Sequence, residues 1–282
     1  YVSAYPYNRR WPGHQRSEDQ RELAYFASFD MDAPVQIVIR PNRSFHAVVV
    51  RPTSKNIMPS VKDGEIEFAL PSMGGYSVEI DGTHHALHLF ANPYKKYEVD
   101  LNDENTLYFS AGLHEVGLIE LKSNQTIYLD ESAVLFARIY AKDAENIKIL
   151  GRGILDNSHI HAEILFIPEK TGKGDFALHN AKRHHTIRLE ACHNIEIDGI
   201  TIRDSLVYNI APYNCDDLVV NNVKIVGCWR YNSDGIDMQG CRRCHVSNCF
   251  IRTYDDSICV KGLDETYQGA VSFSGDIIAE NC

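Results

Sequence analysis

The sequence predicts an all-β fold: a right-handed parallel β-helix preceded by a small antiparallel β-sandwich domain. Short apolar–polar runs punctuated by turn residues fill the region from Ala27 to Pro93. A weak internal repeat of paired short strands then runs from Asn146 to Ile251, with no helical pattern between its members.

Residues 1–26 form an N-terminal arm. It is polar and mixed in charge (Arg9, Arg10, Arg16, Glu18, Asp19, Arg21, Glu22), with one short helix expected around Ser17–Tyr25. Residues 27–100 are the β-sandwich. Its strands are expected at Val35–Ile39, His46–Val50, Glu65–Ala69, Tyr76–Ile80 and Ala86–Phe90. Arg40-Pro41-Asn42, Lys62-Asp63-Gly64, Met73-Gly74-Gly75 and Asp81-Gly82 supply the turns between them. His84, His85 and His88 cluster here on a strand pattern and read as surface histidines.

Residues 101–282 are the parallel β-helix. Gly117–Leu121, Thr126–Leu129 and Ala133–Ala137 lead into it. Asn146–Ile149 is followed by Gly151–Asp156, Asn194–Ile197 by Gly199–Ile202, Leu218–Val220 by Val223–Ile225, and His245-Val246 by Cys249–Ile251. Each unit is a strand, a tight corner and a second strand. Cys192, Cys215 and Cys241 precede equivalent strands at separations of 23 and 26 residues, which fixes the register and stacks them inside the coil. A period in the twenties without helices is a β-solenoid.

Composition bounds the function. The chain has 282 residues, 44% of them hydrophobic, enough for a sizeable core. A net charge of −10 argues against nucleic-acid or acidic-membrane partners. The longest apolar runs, such as Ala47–Val50, are far too short to span a bilayer. The chain starts at Tyr1 rather than Met, as expected of a sequence numbered from behind a cleaved leader or of one trimmed at its start. All eight cysteines lie between Cys192 and Cys282 and read as small core fillers, with one or two disulfides as the alternative. Cys241-x-x-Cys244 lacks a matching second pair, so no metal and no cofactor are expected.

The chemistry concentrates between Asn232 and Lys261. Asp234 and the pair Asp255/Asp256 flank one strand-like run. On adjacent coils about 4.8 Å apart they share one cleft. Carboxylates crowded together repel, so one holds a proton near neutral pH beside ionised neighbours, as hydrolysis of a glycosidic bond requires. The same aspartates also fit coil corners that bond local backbone amides, and spacing alone does not choose.

Asn232-Ser233-Asp234-Gly235-Ile236-Asp237 resembles the Asn-Thr-Asp motif of glycoside hydrolase family 28, the polygalacturonase family with a pectin-lyase-like β-helix. Asp255-Asp256-Ser257-Ile258-Cys259-Val260-Lys261 is similar to that family's Asp-Asp motif and its following lysine, and Ile127–Leu129, Ile147–Asp156 and the stretch from Arg183 to Ser205 resemble its early coils. The resemblance implies an inverting hydrolase. Asp255 would be the general acid, Asp234 and Asp256 would position and deprotonate water, and Lys261 would approach the substrate, with a corner salt bridge as the alternative. Asn232 would support the site, Asp237 would be supporting or structural, Tyr231, Tyr254 and Trp229 would stack on sugar faces, with plain packing as the alternative, and Arg183 would bind substrate. The implied partner is a pectic polysaccharide or oligosaccharide, and the implied location is secreted or periplasmic. Two departures stand out. The family's Gly-His-Gly and Arg-Ile-Lys motifs do not occur, so a sequence truncated at its C-terminus is expected. A sandwich ahead of a β-helix is similar to the dextranase family, which brings in a neutral glucan as the alternative substrate. A non-catalytic carbohydrate-binding β-helix is the third reading.

Overall fold

The computed structural model describes residues 2–4, 22–159, 185–228, 232–262 and 273–282. The chain divides into two units between Lys96 and Tyr97. In the first, strands β1 (Val2–Ala4), β2 (Glu22–Met31), β3 (Val35–Ile39), β4 (Val48–Arg51), β5 (Ser60–Lys62), β6 (Glu65–Leu70), β7 (Gly74–Ile80) and β8 (Leu87–Pro93) build two sheets. One sheet has the order β1-β2-β8-β7-β4 and the other β3-β6-β5. Strict alternation puts Ile66, Phe68 and Leu70 of β6 and Tyr76 and Val78 of β7 into one apolar core.

Two expectations need correction here. The helix expected around Ser17–Tyr25 does not occur in its described part, because Glu22–Tyr25 opens β2. Leu23, Tyr25, Ala27, Phe29 and Met31 alternate with period two, and β2 pairs with β8 in parallel, the one parallel pair of this otherwise antiparallel unit among the described residues. His88 is not a surface histidine: it is 1% exposed, and its ring stacks on Phe90 at 6.4 Å.

The second unit opens with β9 (Thr106–Phe109), β10 (Gly112–Leu121), β11 (Thr126–Leu129) and β12 (Ala133–Lys142). Three-strand coils then follow: β13 (Glu145–Gly151), β14 (Ile154–Asp156) and β15 (Ile187–Glu190); β16 (His193–Asp198), β17 (Thr201–Arg203) and β18 (Ile210–Tyr213); β19 (Asp216–Asn221), β20 (Lys224–Val226) and β21 (Ile236–Gln239); β22 (Arg242–Ser247), β23 (Phe250–Ile251) and β24 (Ile258–Lys261). Strand β25 (Gly275–Glu280) starts another coil. Equivalent strands stack in parallel into three columns: β9-β11-β13-β16-β19-β22-β25, β14-β17-β20-β23 and β15-β18-β21-β24. Strand β12 is long enough to begin both of the shorter columns, pairing β14 with its first half and β15 with its second. This is the expected parallel β-helix.

Identical shapes stack along the core. Ile127, Ile149, Ile197, Val220 and Val246 form one ladder, and Ile187, Ile210, Ile236 and Ile258 another. The fully buried Cys192, Cys215 and Cys241 stand in line, their carbonyls accepting from Asp216 and from Arg242 for the first two. Corner residues Asn124, Asn146 and Asn194 adopt positive φ and chain their amides at 2.8 and 2.7 Å. The strand–corner–strand units seen in the sequence are the first two columns. Connections of unequal length lead into the third column, so no fixed period marks it.

All eight cysteines are free thiols. Six are buried, as core fillers should be, but Cys259 is half-buried and Cys282 exposed, which corrects the reading for those two.

Candidate active site

The third column carries the acidic cluster. Strands β21 and β24 pair with Ile236 against Ile258, Asp237 against Cys259 and Gln239 against Lys261. Ile236 belongs to the core, so alternation turns Asp237, Gln239, Cys259 and Lys261 to the outer face. The ladder continues ahead of both strands: the Gly235 amide donates to the Asp256 carbonyl at 2.8 Å and Ile236 to Ser257 at 3.0 Å. Asp234 and Asp256 therefore occupy the same rung on successive coils, with Asp255 beside them in the bend that precedes β24. Gly235 makes that approach possible, since a Cβ there would lie 2.2 Å from the Ser257 carbonyl oxygen.

Asn209 anchors the rung from the other side. Its backbone amide and its Nδ2 both donate to the Asp234 carbonyl at 2.8 Å, and the residue is fully buried. The Asp234 side chain is 4% exposed, and its Oδ1 has no hydrogen-bond partner. Asp237 is fully buried. Its Oδ2 accepts from Lys261 Nζ at 2.8 Å and its Oδ1 from Gln239 Nε2 at 3.2 Å. Lys261 Nζ also stands 3.9 Å from Asp234 Oδ2 and 5.5 Å from the centre of the Tyr208 ring. Tyr208 stacks on His185 at 4.8 Å. Cys259 Sγ donates to Asp256 Oδ2 at 3.1 Å.

These contacts set the proton affinities. Burial, then the charges of Asp237 and Asp255, push the Asp234 carboxyl up to about 8, and Lys261 offsets only part of this. Burial and the same aspartates, Asp234 and Asp237, push the Tyr208 phenol up to about 12. Burial works against the charge on Lys261, but the hydrogen bond and field of Asp237 outweigh it and hold the ammonium above its ordinary range. Burial raises the Cys259 thiol to about 11, helped by its bond to Asp256.

The structure brings together Asp234, Asp255, Asp256 and Lys261. Lys261 spends its nearest contact on Asp237. Asn232 adopts a left-handed backbone (φ 57°) and reaches the Tyr208 phenol. Tyr254 is partly buried and packs against the solenoid core. Trp229, Tyr231 and Arg183 lie outside the described residues. Sequence reasoning missed Asn209, Tyr208 and Cys259 as parts of this site. For Cys259 a signal existed: it is two residues before Lys261 on one strand and so shares its face. For metal binding, the ligand atoms of Asp234, Asp237 and Cys259 all lie within 4.8 Å of one another.

The family model for glycosyl hydrolases family 28 matches residues 95–276. The chain belongs to this family. Relatives include a probable polygalacturonase of Vitis vinifera, 27% identical over 183 residues (56% of this chain, 37% of the relative), and a polygalacturonase of Persea americana, 26% identical over 146 residues (51% and 30%). The chain thus spans about a third of the length of these relatives. Among solved structures, Dex49A from Penicillium minioluteum aligns over 79% of this chain and 52% of its own, with a TM-score of 0.54 at 15% identity. A hyperthermoactive exopolygalacturonase from Thermotoga maritima aligns over 61% of this chain and 50% of its own, with a TM-score of 0.50 at 21% identity. At these identities the two structures speak for the β-helix fold of family 28 and for nothing finer.

Proposed function

We propose that this chain carries the catalytic body of an inverting glycoside hydrolase acting on a galacturonate-containing pectic polysaccharide outside the cell or in the periplasm. The observation behind this is the shared rung of Asp234 and Asp256 with Asp255 alongside. Asp255 takes up a proton in the reactive form and passes it to the leaving oxygen. A water held between Asp234 and Asp256 attacks from the opposite face of the sugar ring. Asp256, exposed to solvent, takes the proton of that water. Asp234, buried and holding its own proton more tightly, orients it. Lys261 and Asp237 supply the fixed charges around the pair.

Dextranase-like cleavage of a neutral glucan is the second reading. It is favoured by one feature: Lys261 is engaged by Asp237 rather than presented towards a substrate carboxylate. Reducing-end release from polygalacturonate and from dextran by the full-length protein separates the two. Asp255→Asn should abolish release from whichever polymer is cut, and retained release would remove Asp255 from the acid role. Binding of either polymer without any release by the wild type would make the chain a carbohydrate-binding module.

A further inference from the structure

We infer that Asp234, Asp237 and Cys259 form a binding site for a thiophilic divalent cation of the zinc or cadmium class, and that filling it blocks the cleft. Two carboxylates and one thiol from adjacent strands offer ligand atoms within 4.8 Å of one another. Ligand atoms around a tetrahedral zinc with bonds of about 2.0–2.3 Å lie about 3.5 Å apart, so a modest closing of side chains suffices. The pairing of Asp237 with Cys259 across β21 and β24 fixes two of the three on neighbouring backbone positions.

A second observation points to a ligand. The Asp234 side chain is 4% exposed, and its Oδ1 is buried without a hydrogen-bond partner. A buried carboxylate oxygen without a donor carries a desolvation cost that a cation removes. Lys261 Nζ spends its close contact on Asp237 Oδ2 at 2.8 Å and stands 3.9 Å from the other Asp234 oxygen, Oδ2. Its side chain is 39% exposed, so the ammonium can swing out to water when a divalent ion enters. The thiol sets the selectivity. Hard ions such as magnesium gain nothing from sulfur, whereas zinc and cadmium do. Binding displaces two protons to solvent, one from the Cys259 thiol and one held by the Asp234 carboxyl, and breaks the Cys259–Asp256 hydrogen bond. Binding rests on these three side chains alone, and only the blocking rests on the hydrolase reading.

The test is a cadmium chloride titration of the full-length protein carrying Cys282→Ser, which removes the one exposed thiol among the described residues. The readout is the ultraviolet thiolate-to-metal charge-transfer band. One cadmium per chain with this band is expected. Cys259→Ser should erase the band and weaken binding by about 10–100-fold, while Lys261→Met should tighten it. Circular dichroism of each variant checks that the solenoid is intact. A band that persists in Cys259→Ser, or no binding in the millimolar range, overturns the site. Cadmium that binds with the band but leaves polysaccharide release unslowed overturns the blocking. If the metal-free protein cleaves no polysaccharide, the hydrolase reading fails while the band still decides the cation site.

Discussion

Asp234→Asn changes one atom of a buried carboxyl, and its effect should depend on pH. In the fold this carboxyl is raised to about 8, chiefly by burial and by Asp237. In the unfolded chain it titrates near 4. Between those values the native state holds about one proton more than the unfolded state. Stability contributed by Asp234 is therefore fully present below pH 4 and is lost as pH rises towards 8. The slope is about 1.4 kcal/mol per pH unit. From pH 5 to pH 7 the wild type should lose about 2–3 kcal/mol relative to Asp234→Asn, which cannot ionise. Urea unfolding of both proteins in chelated buffer at pH 5, 6 and 7, followed by circular dichroism, measures this difference. A difference that stays constant across the three pH values would refute the placement of a raised carboxyl at Asp234.

Three further substitutions probe the frame of the site. Gly235→Ala drives a methyl to 2.2 Å from the Ser257 carbonyl; it should cost about 1–3 kcal/mol and part the rung that joins Asp234 to Asp256, seen as lowered Tm and lost protection of the Ile236 amide, which donates across it. Asn209→Ala removes the side-chain donor to the Asp234 carbonyl; a loss of about 1–3 kcal/mol is expected, with a fall in kcat larger than any change in KM. Lys261→Met leaves the fully buried Asp237 without its cation; about 3–5 kcal/mol of destabilisation is expected in metal-free buffer, and cadmium should recover part of it in a thermal melt.

The first two columns of the solenoid were legible because their strands share a short motif and equal corners. Asn146-Ile147-x-Ile149 and Asn194-Ile195-x-Ile197 each put two isoleucines inside and an asparagine at the corner, and the cysteine ladder fixed the phase. The third column was illegible as a repeat, because the links into it are unequal while their strands stay aligned: Gly227–Gly235 is longer than Asp204–Asn209 and Arg252–Ser257, and the link between β14 and β15 is far longer than any of them. The catalytic candidates lie at the ends of those links. Asp234, Asp255 and Asp256 were readable from their motifs, but Tyr208 and Asn209 become neighbours of Asp234 only through the coil register. In the first unit, β2 was hidden behind a run of charges although its own alternation was regular.

The site sets a stability cost against a rigid frame. Asp234 and Asp237 crowd against Lys261, with Asp255 acting on Asp234 and Asp256 on its rung, and Asp234 is almost and Asp237 fully closed off from water. Such an arrangement would relax apart on a flexible loop. Here the Asn209, Gly235 and Ile236 amides on either side of the cluster are all spent in the ladder, so repulsion among the side chains cannot be relieved by moving the backbone. It is relieved instead by proton uptake at Asp234 and by the ammonium of Lys261. A neutral residue at Asp234 should therefore make the fold more stable near neutral pH and the cleft inert, and a single variant that gained stability while keeping full activity would break that link.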